Sequence, residues 1–232
     1  MFNWILKQKN SKKGYNKGLT FLELIVVLGI FGTIATVVLA NFGDFTSSVY
    51  LQNLSQDMAL KIKQAQIDSL SGKGGSMLFN PSAGLRPSYG VYFSTTNPTG
   101  FVYFKDLNNN GAFDEDCGNG GNIECIDEIS INANINGNNQ GVIDGLCVKS
   151  LGDWTCPPVD DKLNITFRRP YSDALINSYY ANPISTTAIV LKSSKGQKKA
   201  ILVSSLGEIS IRNISSANNN LTLEQMAIVE NF

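Results

Sequence analysis

Residues Leu19–Phe42, which read LTFLELIVVLGIFGTIATVVLANF, form an apolar run of 24 residues with one charged side chain, Glu23. As an α-helix with a rise of about 1.5 Å per residue, the run would span about 36 Å, which exceeds the bilayer hydrocarbon core of about 30 Å. It therefore predicts a membrane-crossing helix. An ordinary secretory signal fits poorly, because its small-residue cleavage site would follow the apolar run, whereas Gly18 precedes it.

The segment before this run is basic. Residues 1–18 contain five lysines and no acidic residue, and the rest of the 232-residue chain has 14 basic and 19 acidic residues. A basic flank favours a cytoplasmic N-terminus. This asymmetry indicates a targeting segment and does not indicate a nucleic-acid-binding domain.

Glu23 is the unusual residue of the run, because a carboxylate within an apolar helix is costly and marks a functional position. If the chain were cut after Gly18, Leu19 would carry a new α-ammonium group four residues before Glu23. Pairing of these charges between neighbouring chains would fix their axial register, since an isolated buried charge is strongly unfavourable. The alternative is a plain signal anchor with Glu23 at the level of the lipid headgroups.

The segment Lys17–Leu24, KGLTFLEL, resembles the type III signal of type IV prepilins and pseudopilins. In that family Gly precedes the cleavage site, the fifth mature residue is Glu, and an apolar helix follows. The resemblance implies cleavage between Gly18 and Leu19 by a prepilin peptidase, N-methylation of Leu19, and filament contacts made by Glu23. Leu19 replaces the commoner Phe, and Ala40 stands where a helix-breaking Pro is common.

A second helical pattern follows Gly43. Apolar residues recur at helical spacing over residues 43–72 and polar residues fill the other face, which predicts an amphipathic helix that ends at Ser71–Gly75. The expected apolar positions are Val49, Leu54, Met58, Ala59, Ile62, Ala65 and Leu70. We expect the two helices to be nearly continuous, as one long rod; the alternative is a flexible joint at Asn41–Thr46.

Residues 73–232 are expected to form a β-rich head, because short β-branched and aromatic segments alternate with Gly, Pro, Asn and Ser clusters. The predicted strands are Met77–Phe79, Tyr89–Phe93, Phe101–Lys105, Glu128–Asn132, Leu163–Arg168, Thr187–Lys192, Ala200–Ser204 and Glu208–Arg212. The last two read as a hairpin around Leu206-Gly207, and Asn132–Asn139 reads as a plain loop. No long helix intervenes, so the sheet should be mainly antiparallel. The sequence thus predicts an α+β fold, a long N-terminal helix packed on an antiparallel sheet, as in the pilin fold that the resemblance implies.

The head also resembles the minor pilin group that includes the H-type pseudopilins of type II secretion, through Phe104–Asp116 and the late hairpin with Gly207. Some minor pilins of this group bind DNA through a basic C-terminal region. Here Glu208 and Glu224 oppose Arg212. Phosphate binding needs clustered cations, so DNA binding is not expected.

The four cysteines lie between Cys117 and Cys156. An even number of cysteines in a chain with an export signal predicts disulfides, with three possible connectivities. Pairing of Cys117 with Cys125 and of Cys147 with Cys156 is favoured, because short loops close easily. A four-thiolate zinc site is the alternative, although neither pair has the usual spacing.

Asp106–Asp116, DLNNNGAFDED, places oxygen-bearing side chains at relative positions 1, 3, 5 and 9, with Gly at position 6. This pattern is typical of a calcium loop, whose ligands would be Asp106, Asn108, Asn110, the Ala112 carbonyl, Asp114 and Asp116. Position 12 is Cys117, so the closing ligand would be Asp116 or Glu115, or else Asp127 or Glu128. The alternative is an Asn/Gly-rich surface turn. A bound calcium would be structural.

The chain contains no histidine, which removes the commonest general base, and we expect no enzyme. The first candidate function is a subunit of a type IV pilus or type II secretion pseudopilus. Its partners would be other pilin subunits, the prepilin peptidase and an inner-membrane assembly platform. The second is a membrane-anchored module that captures a ligand outside the cytoplasm, and a DNA-uptake minor pilin is a further alternative. Each places the chain in the cytoplasmic membrane with its N-terminus inside and its head in the periplasm or at the cell surface.

Overall fold

The computed structural model describes residues 18–73, 87–114, 117, 124–131, 134–135, 138–139, 141–156, 162–168, 170–178 and 183–214. In these residues one α-helix, α1, spans Phe21–Ser71. It includes both predicted helical segments and is unbroken where the alternative placed a joint. The chain divides into two units, Met1–Gly43 and Asp44–Phe232. Residues 1–17 of the predicted leader lie outside the described residues.

Both ends of α1 follow from local chemistry. At the start, the Glu23 N–H donates to Thr20 Oγ1 at 3.2 Å and the Leu24 N–H donates to the Thr20 carbonyl at 3.1 Å. At the end, Gly72 has φ 65° and its N–H donates to the Ser69 carbonyl at 3.2 Å. Glycine takes this left-handed conformation without strain and closes the last turn. The predicted end of the helix after Ser71 is confirmed.

The second unit is built from short strands. In chain order these are β1 (Ser88–Ser94), β2 (Gly100–Asp106), β3 (Cys125–Ser130), β4 (Asn134–Ile135), β5 (Asn138–Asn139), β6 (Gly141–Ser150), β7 (Asp153–Thr155), β8 (Lys162–Phe167), β9 (Ala174–Ser178), β10 (Thr186–Ser193), β11 (Lys198–Ser204) and β12 (Ile209–Ile214). They form two five-stranded sheets, ordered β3-β2-β1-β8-β9 and β12-β11-β10-β6-β7, and a β4-β5 pair. All pairings among the described strands are antiparallel.

The α+β class and the antiparallel pairing agree with the sequence prediction. The β11–β12 hairpin, with Gly207 at φ 82°, is also as predicted. The single predicted sheet is wrong, because the strands divide between two sheets. Asn132–Asn139 is not a plain loop throughout, since Asn134 pairs with Asn139 and Ile135 with Asn138. The predicted strand Met77–Phe79 lies outside the described residues.

The sequence prediction missed β6, β7 and β9. In β6 the pairing with β10 shifts register so that Val190 faces Gly145 and Leu191 faces Ile143, which leaves Asp144 as an extra residue. Such a bulge breaks the period-two alternation from which strands are recognised. The extra residue has a structural use, because the Asp144 carboxylate lies 2.7 Å from Nζ of the nearly buried Lys198.

One apolar cluster joins the second half of α1 to both large sheets. Its helical members are Leu51, Leu54, Met58, Ile62 and Ala65. Their spacing of three or four residues places them on one stripe, and burying one large aliphatic side chain contributes about 1.5–3 kcal/mol. The predicted positions Val49 and Leu70 lie off this stripe and are 42% and 40% exposed.

A buried serine fastens α1 to the first large sheet. Tyr89 and Phe167 face each other in the β1–β8 pairing. The Tyr89 N–H donates to Ser69 Oγ at 2.7 Å, and that hydroxyl donates to the Phe167 carbonyl at 2.6 Å. The hydroxyl thus connects two strands and the helix, and it satisfies backbone groups that would be costly to leave unpaired.

Candidate functional site

Gly18 and Leu19 precede the first turn of α1 and are exposed. A Cβ atom placed on Gly18 would meet nothing within 4 Å, and Leu19 is 70% exposed. The described fold therefore gives no steric reason for glycine at this position. A requirement for glycine would have to come from a molecule that acts on this segment.

Glu23 occupies the third position of α1, next to the Thr20 cap. Thr20-x-x-Glu23 has the spacing of a capping box, of which the Glu23 N–H to Thr20 Oγ1 bond is present, and a carboxylate in the first turn is favoured by the helix dipole. The sequence interpretation missed this role, although the Thr-x-x-Glu spacing was there to be read. Glu23 therefore has a local structural reason to be acidic. A test of an intermolecular role must distinguish that role from this local effect on the start of the helix.

The apolar part of α1 has no covering in the described structure. From Phe21 to Leu39 every residue is exposed except the half-buried Ala35. The helix is long and apolar enough to cross a membrane. Its hydroxyl groups are satisfied locally, because Thr33 donates to the Ile30 carbonyl at 2.8 Å and Thr36 to the Gly32 carbonyl at 2.9 Å. Self-satisfied polar groups suit a surface that faces lipid or another apolar helix.

The predicted calcium loop follows β2. Asp106 is fully buried at the end of that strand, and its Oδ2 accepts the Gly111 N–H at 2.9 Å. Asn109 and Gly111 have φ values of 59° and 80°, which let the chain turn sharply around the carboxylate. Among the described residues, the other carboxylate oxygen, Oδ1, is buried and has no hydrogen-bond donor.

The exposed side of the loop is held by amide groups. Asn108 Oδ1 accepts the Asn110 N–H at 3.0 Å, and Asn110 Oδ1 accepts the Ala112 N–H at 2.8 Å. Both side-chain amides also donate to Asp114 Oδ2, at 2.6 Å from Asn108 and 2.5 Å from Asn110. The structure thus brings Asn108 and Asn110 into contact with Asp114, while Asp106 is bonded to the backbone of the same loop. Asp116 and Glu115 lie outside the described residues.

Glu124 is the residue that the sequence interpretation missed. It is 5% exposed, and its carboxylate accepts the Leu107 N–H at 3.1 Å and the Asp114 N–H at 3.5 Å. It reaches the loop because it precedes β3, which pairs antiparallel with β2 and so starts where β2 ends. Antiparallel pairing of these two strands was the signal that could have found it.

Asp127 and Glu128, which the sequence suggested as closing ligands, pair with residues that precede the loop. Asp127 faces Tyr103 and Glu128 faces Val102 in the β2–β3 pairing, several residues before the loop. Asp127 instead lies 3.6 Å from Lys61 on α1. Tyr103 lies three residues before Asp106, and each step along a strand advances about 3.3 Å, so both acids pair away from the loop.

The loop carboxylates are electrostatically coupled. Burial raises the pKa of Asp106, although loop N–H groups and the nearby Arg168 oppose the shift. Burial also raises the pKa of Glu124, and the charges of Asp114 and Asp106 raise it further. The arrangement therefore concentrates negative charge in a place where water is largely excluded.

The four cysteines form two disulfides, Cys117–Cys125 and Cys147–Cys156. This is the local pairing that the sequence favoured over a zinc site. Cys125 directly follows Glu124, so the first bridge anchors the segment that delivers this carboxylate. The second bridge joins β6 to the residue after β7.

Within the described part of the chain, no group of three or more His, Cys, Asp or Glu side chains is already converged closely enough to hold a metal ion. Comparison of the chain with protein-family models, with curated proteins and with solved structures finds no match.

Proposed function

We propose that this chain is a structural subunit of a type IV pilus or a type II secretion pseudopilus, processed after Gly18 and assembled through α1. The observation that carries the proposal is the apolar surface of α1 from Phe21 to Leu39, which is exposed except at the half-buried Ala35 and has Glu23 as its one charged side chain. Such a surface needs either lipid or other apolar helices around it. Before assembly, membrane lipid surrounds this surface. After assembly, the packed N-terminal helices of the filament core surround it.

The charge of Glu23 gives the assembly its register. Cleavage after Gly18 creates an α-ammonium group on Leu19, and that cation on one subunit pairs with Glu23 on the next. Two opposite unit charges 4 Å apart attract by about 4 kcal/mol at an effective dielectric constant of 20, although desolvation offsets part of this. A subunit added out of register leaves both charges unpaired in an apolar core and is disfavoured.

The same proposal assigns the compartments and partners. The basic leader stays in the cytoplasm until a prepilin peptidase removes it, and an assembly platform in the cytoplasmic membrane takes up the mature subunit. The head lies outside the cytoplasm, and its two disulfides support this, because such bonds form and persist in oxidising compartments.

Substitutions of Glu23 test the charge mechanism. Gln keeps the length and the hydrogen-bonding capacity of the side chain but removes the charge, whereas Ala removes both; the bond from the residue 23 backbone N–H to Thr20 Oγ1 is available to either variant. If charge pairing drives assembly, Glu23→Gln and Glu23→Ala should each reduce the chain in sheared filaments at least about tenfold. Glu208→Gln, an exposed change in the head, is the matched control and should incorporate normally. Incorporation of the Gln variant at the wild-type level would show that the charge of Glu23 is not needed for assembly and would contradict the mechanism.

Mass spectrometry of filament-borne protein tests the processing step. The expected N-terminus is methylated Leu19. Gly18→Val should fold normally, because the position is open, but should stay uncut and remain in the membrane fraction. Filaments built from chains that retain residues 1–18 would refute the proposal.

A membrane-anchored ligand-binding module is the second candidate, and a groove in the head favours it. The groove has a volume of about 650 Å³ and lies between α1 and the β2–β3 edge, with Leu54, Met58, Phe101 and Ile129 among its lining residues. Its size is within the range of small-molecule sites, about 300–1,000 Å³. Under this function the leader would remain attached, and Glu23→Ala would leave ligand capture intact.

A further inference from the structure

We infer that the loop after β2 is a calcium site closed by Glu124 instead of by a residue of the loop's own second half. The inference does not depend on filament assembly. It starts from Asp106, whose side chain is 0% exposed and whose Oδ1 is buried without a hydrogen-bond donor among the described residues. A buried carboxylate oxygen that lacks a donor is costly, and a cation is the partner that removes this cost.

The hydrogen bonds of Asp106 show that the loop wraps around its carboxylate. Asp106 Oδ2 accepts the Gly111 N–H at 2.9 Å. The N–H groups of Asn109 and Asn110 also act on the same carboxylate. Oδ2 is therefore bonded to the loop backbone, and Oδ1 is left for a further partner.

The remaining oxygen ligands lie on the same short segment. Asn108 Oδ1 and Asn110 Oδ1 each accept one backbone N–H, and an amide oxygen has a second lone pair for a cation. Asp114 is exposed and is held to both amides by hydrogen bonds, so its carboxylate can turn without disturbing the core. Ca²⁺ takes six to eight oxygen ligands in flexible geometry, including carboxylates, amide oxygens and backbone carbonyls.

Formal charge favours a divalent ion. Asp106, Asp114 and Glu124 supply three negative charges, and Arg168, which donates to the Asn109 carbonyl at 2.8 Å, supplies one positive charge. The sum of minus two matches one Ca²⁺. Glu124 is already held beside the loop by the Leu107 and Asp114 N–H groups, so the closing ligand needs no large movement of the backbone.

Calcium titration of the full chain in detergent, after treatment with chelator, tests the inference. Calorimetry with CaCl₂ should show one site per chain. At free Ca²⁺ about 100-fold above Kd, the melting temperature should rise by about 5–10 °C for a head of this size. MgCl₂ should bind more weakly, because Mg²⁺ demands a rigid octahedral site.

Asp106→Asn should abolish the calcium-dependent shift in melting temperature. Because Asp106 is buried, a second variant guards against misfolding: Asp114→Asn, at an exposed position, should weaken Ca²⁺ binding at least tenfold while leaving the metal-free melting temperature unchanged. Asp173→Asn, an exposed acid outside the loop, is the control and should bind like the wild type. Absence of both heat and melting shift in the wild type would overturn the inference, and so would binding that survives both loop variants.

Discussion

Replacing Gly207 by Ala should test how α1 is fastened to the β11–β12 hairpin. Gly207 has φ 82°, and a Cβ on it would lie 2.0 Å from the Ser172 carbonyl oxygen and 2.6 Å from Gln66 Nε2. Gln66 is 2% exposed, and its amide donates to the carbonyls of Ser172 at 2.8 Å and Gly207 at 3.1 Å. An alanine methyl therefore cannot fit unless this buried bridge between helix and hairpin opens.

The expected loss has two parts. A non-glycine residue in the left-handed region costs about 1–2 kcal/mol, and loss of the two buried hydrogen bonds costs about 2–4 kcal/mol more. Gly196→Ala provides a matched control, because Gly196 has φ 83° but a Cβ there would meet nothing within 4 Å. The Gly196→Ala control should therefore lose only the free energy that comes from the left-handed backbone conformation.

Thermal unfolding of the full chain in detergent, followed by near-ultraviolet circular dichroism, measures the difference. For a head of this size each kcal/mol shifts the melting temperature by about 2–4 °C. Gly207→Ala should therefore melt at least about 4 °C below Gly196→Ala. Equal melting temperatures for the two variants would show that the Gln66 bridge contributes nothing and would refute the argument.

Two further predictions concern the core. Burial raises the pKa of Asp68, but hydrogen bonds from Tyr103 and Lys73, with the Lys73 charge, outweigh burial and leave the pKa below its ordinary value. A lowered carboxylate pKa stabilises the fold above the unfolded value of about 3.9, and this contribution is lost progressively as pH falls from there through the folded value. Asp68→Asn should therefore cost about 1.5–3 kcal/mol at pH 7, and the loss should shrink steadily as urea titrations are carried to lower pH below about 3.9. A loss that stays constant with pH would contradict the charge argument. Gly90→Ala places a Cβ 2.7 Å from the Ile165 carbonyl oxygen and should lower the free energy of unfolding by about 1–3 kcal/mol, whereas an unchanged urea midpoint would show that the sheet relaxes freely.

Much of the fold could be predicted from local patterns in the sequence. The apolar run and the stripe after it predicted α1, because helical periodicity is a property of neighbouring residues. Seven strands, two of which form the late hairpin, and both disulfides were also predicted from local composition and spacing. Two errors concern individual strands. β6 was missed because the bulge at Asp144 interrupts its alternating pattern, and β3 begins at Cys125, three residues before its predicted start.

The candidate calcium loop also has one part that the sequence predicted and one part that only the structure revealed. The spacing from Asp106 to Asp114 was visible in the sequence, and in the structure Asn108 and Asn110 contact Asp114 within the loop that wraps Asp106. Glu124 was not predicted, because it follows a separate Gly-rich segment and joins the loop only through the pairing of β3 with β2. The capping relation between Thr20 and Glu23, in contrast, was available from spacing alone.

The sequence by itself determined the helix, the disposition of charge around Gly18 and Glu23, and the residue types of the polar loop, since each depends on contacts within a few residues. Only the tertiary structure decided that the strands form two sheets, that Gln66 and Ser69 fasten the helix to them, and that Glu124 reaches the loop after Asp106. These features join residues far apart in the chain, and long-range pairing is set by the packing of the whole core, which no local pattern encodes.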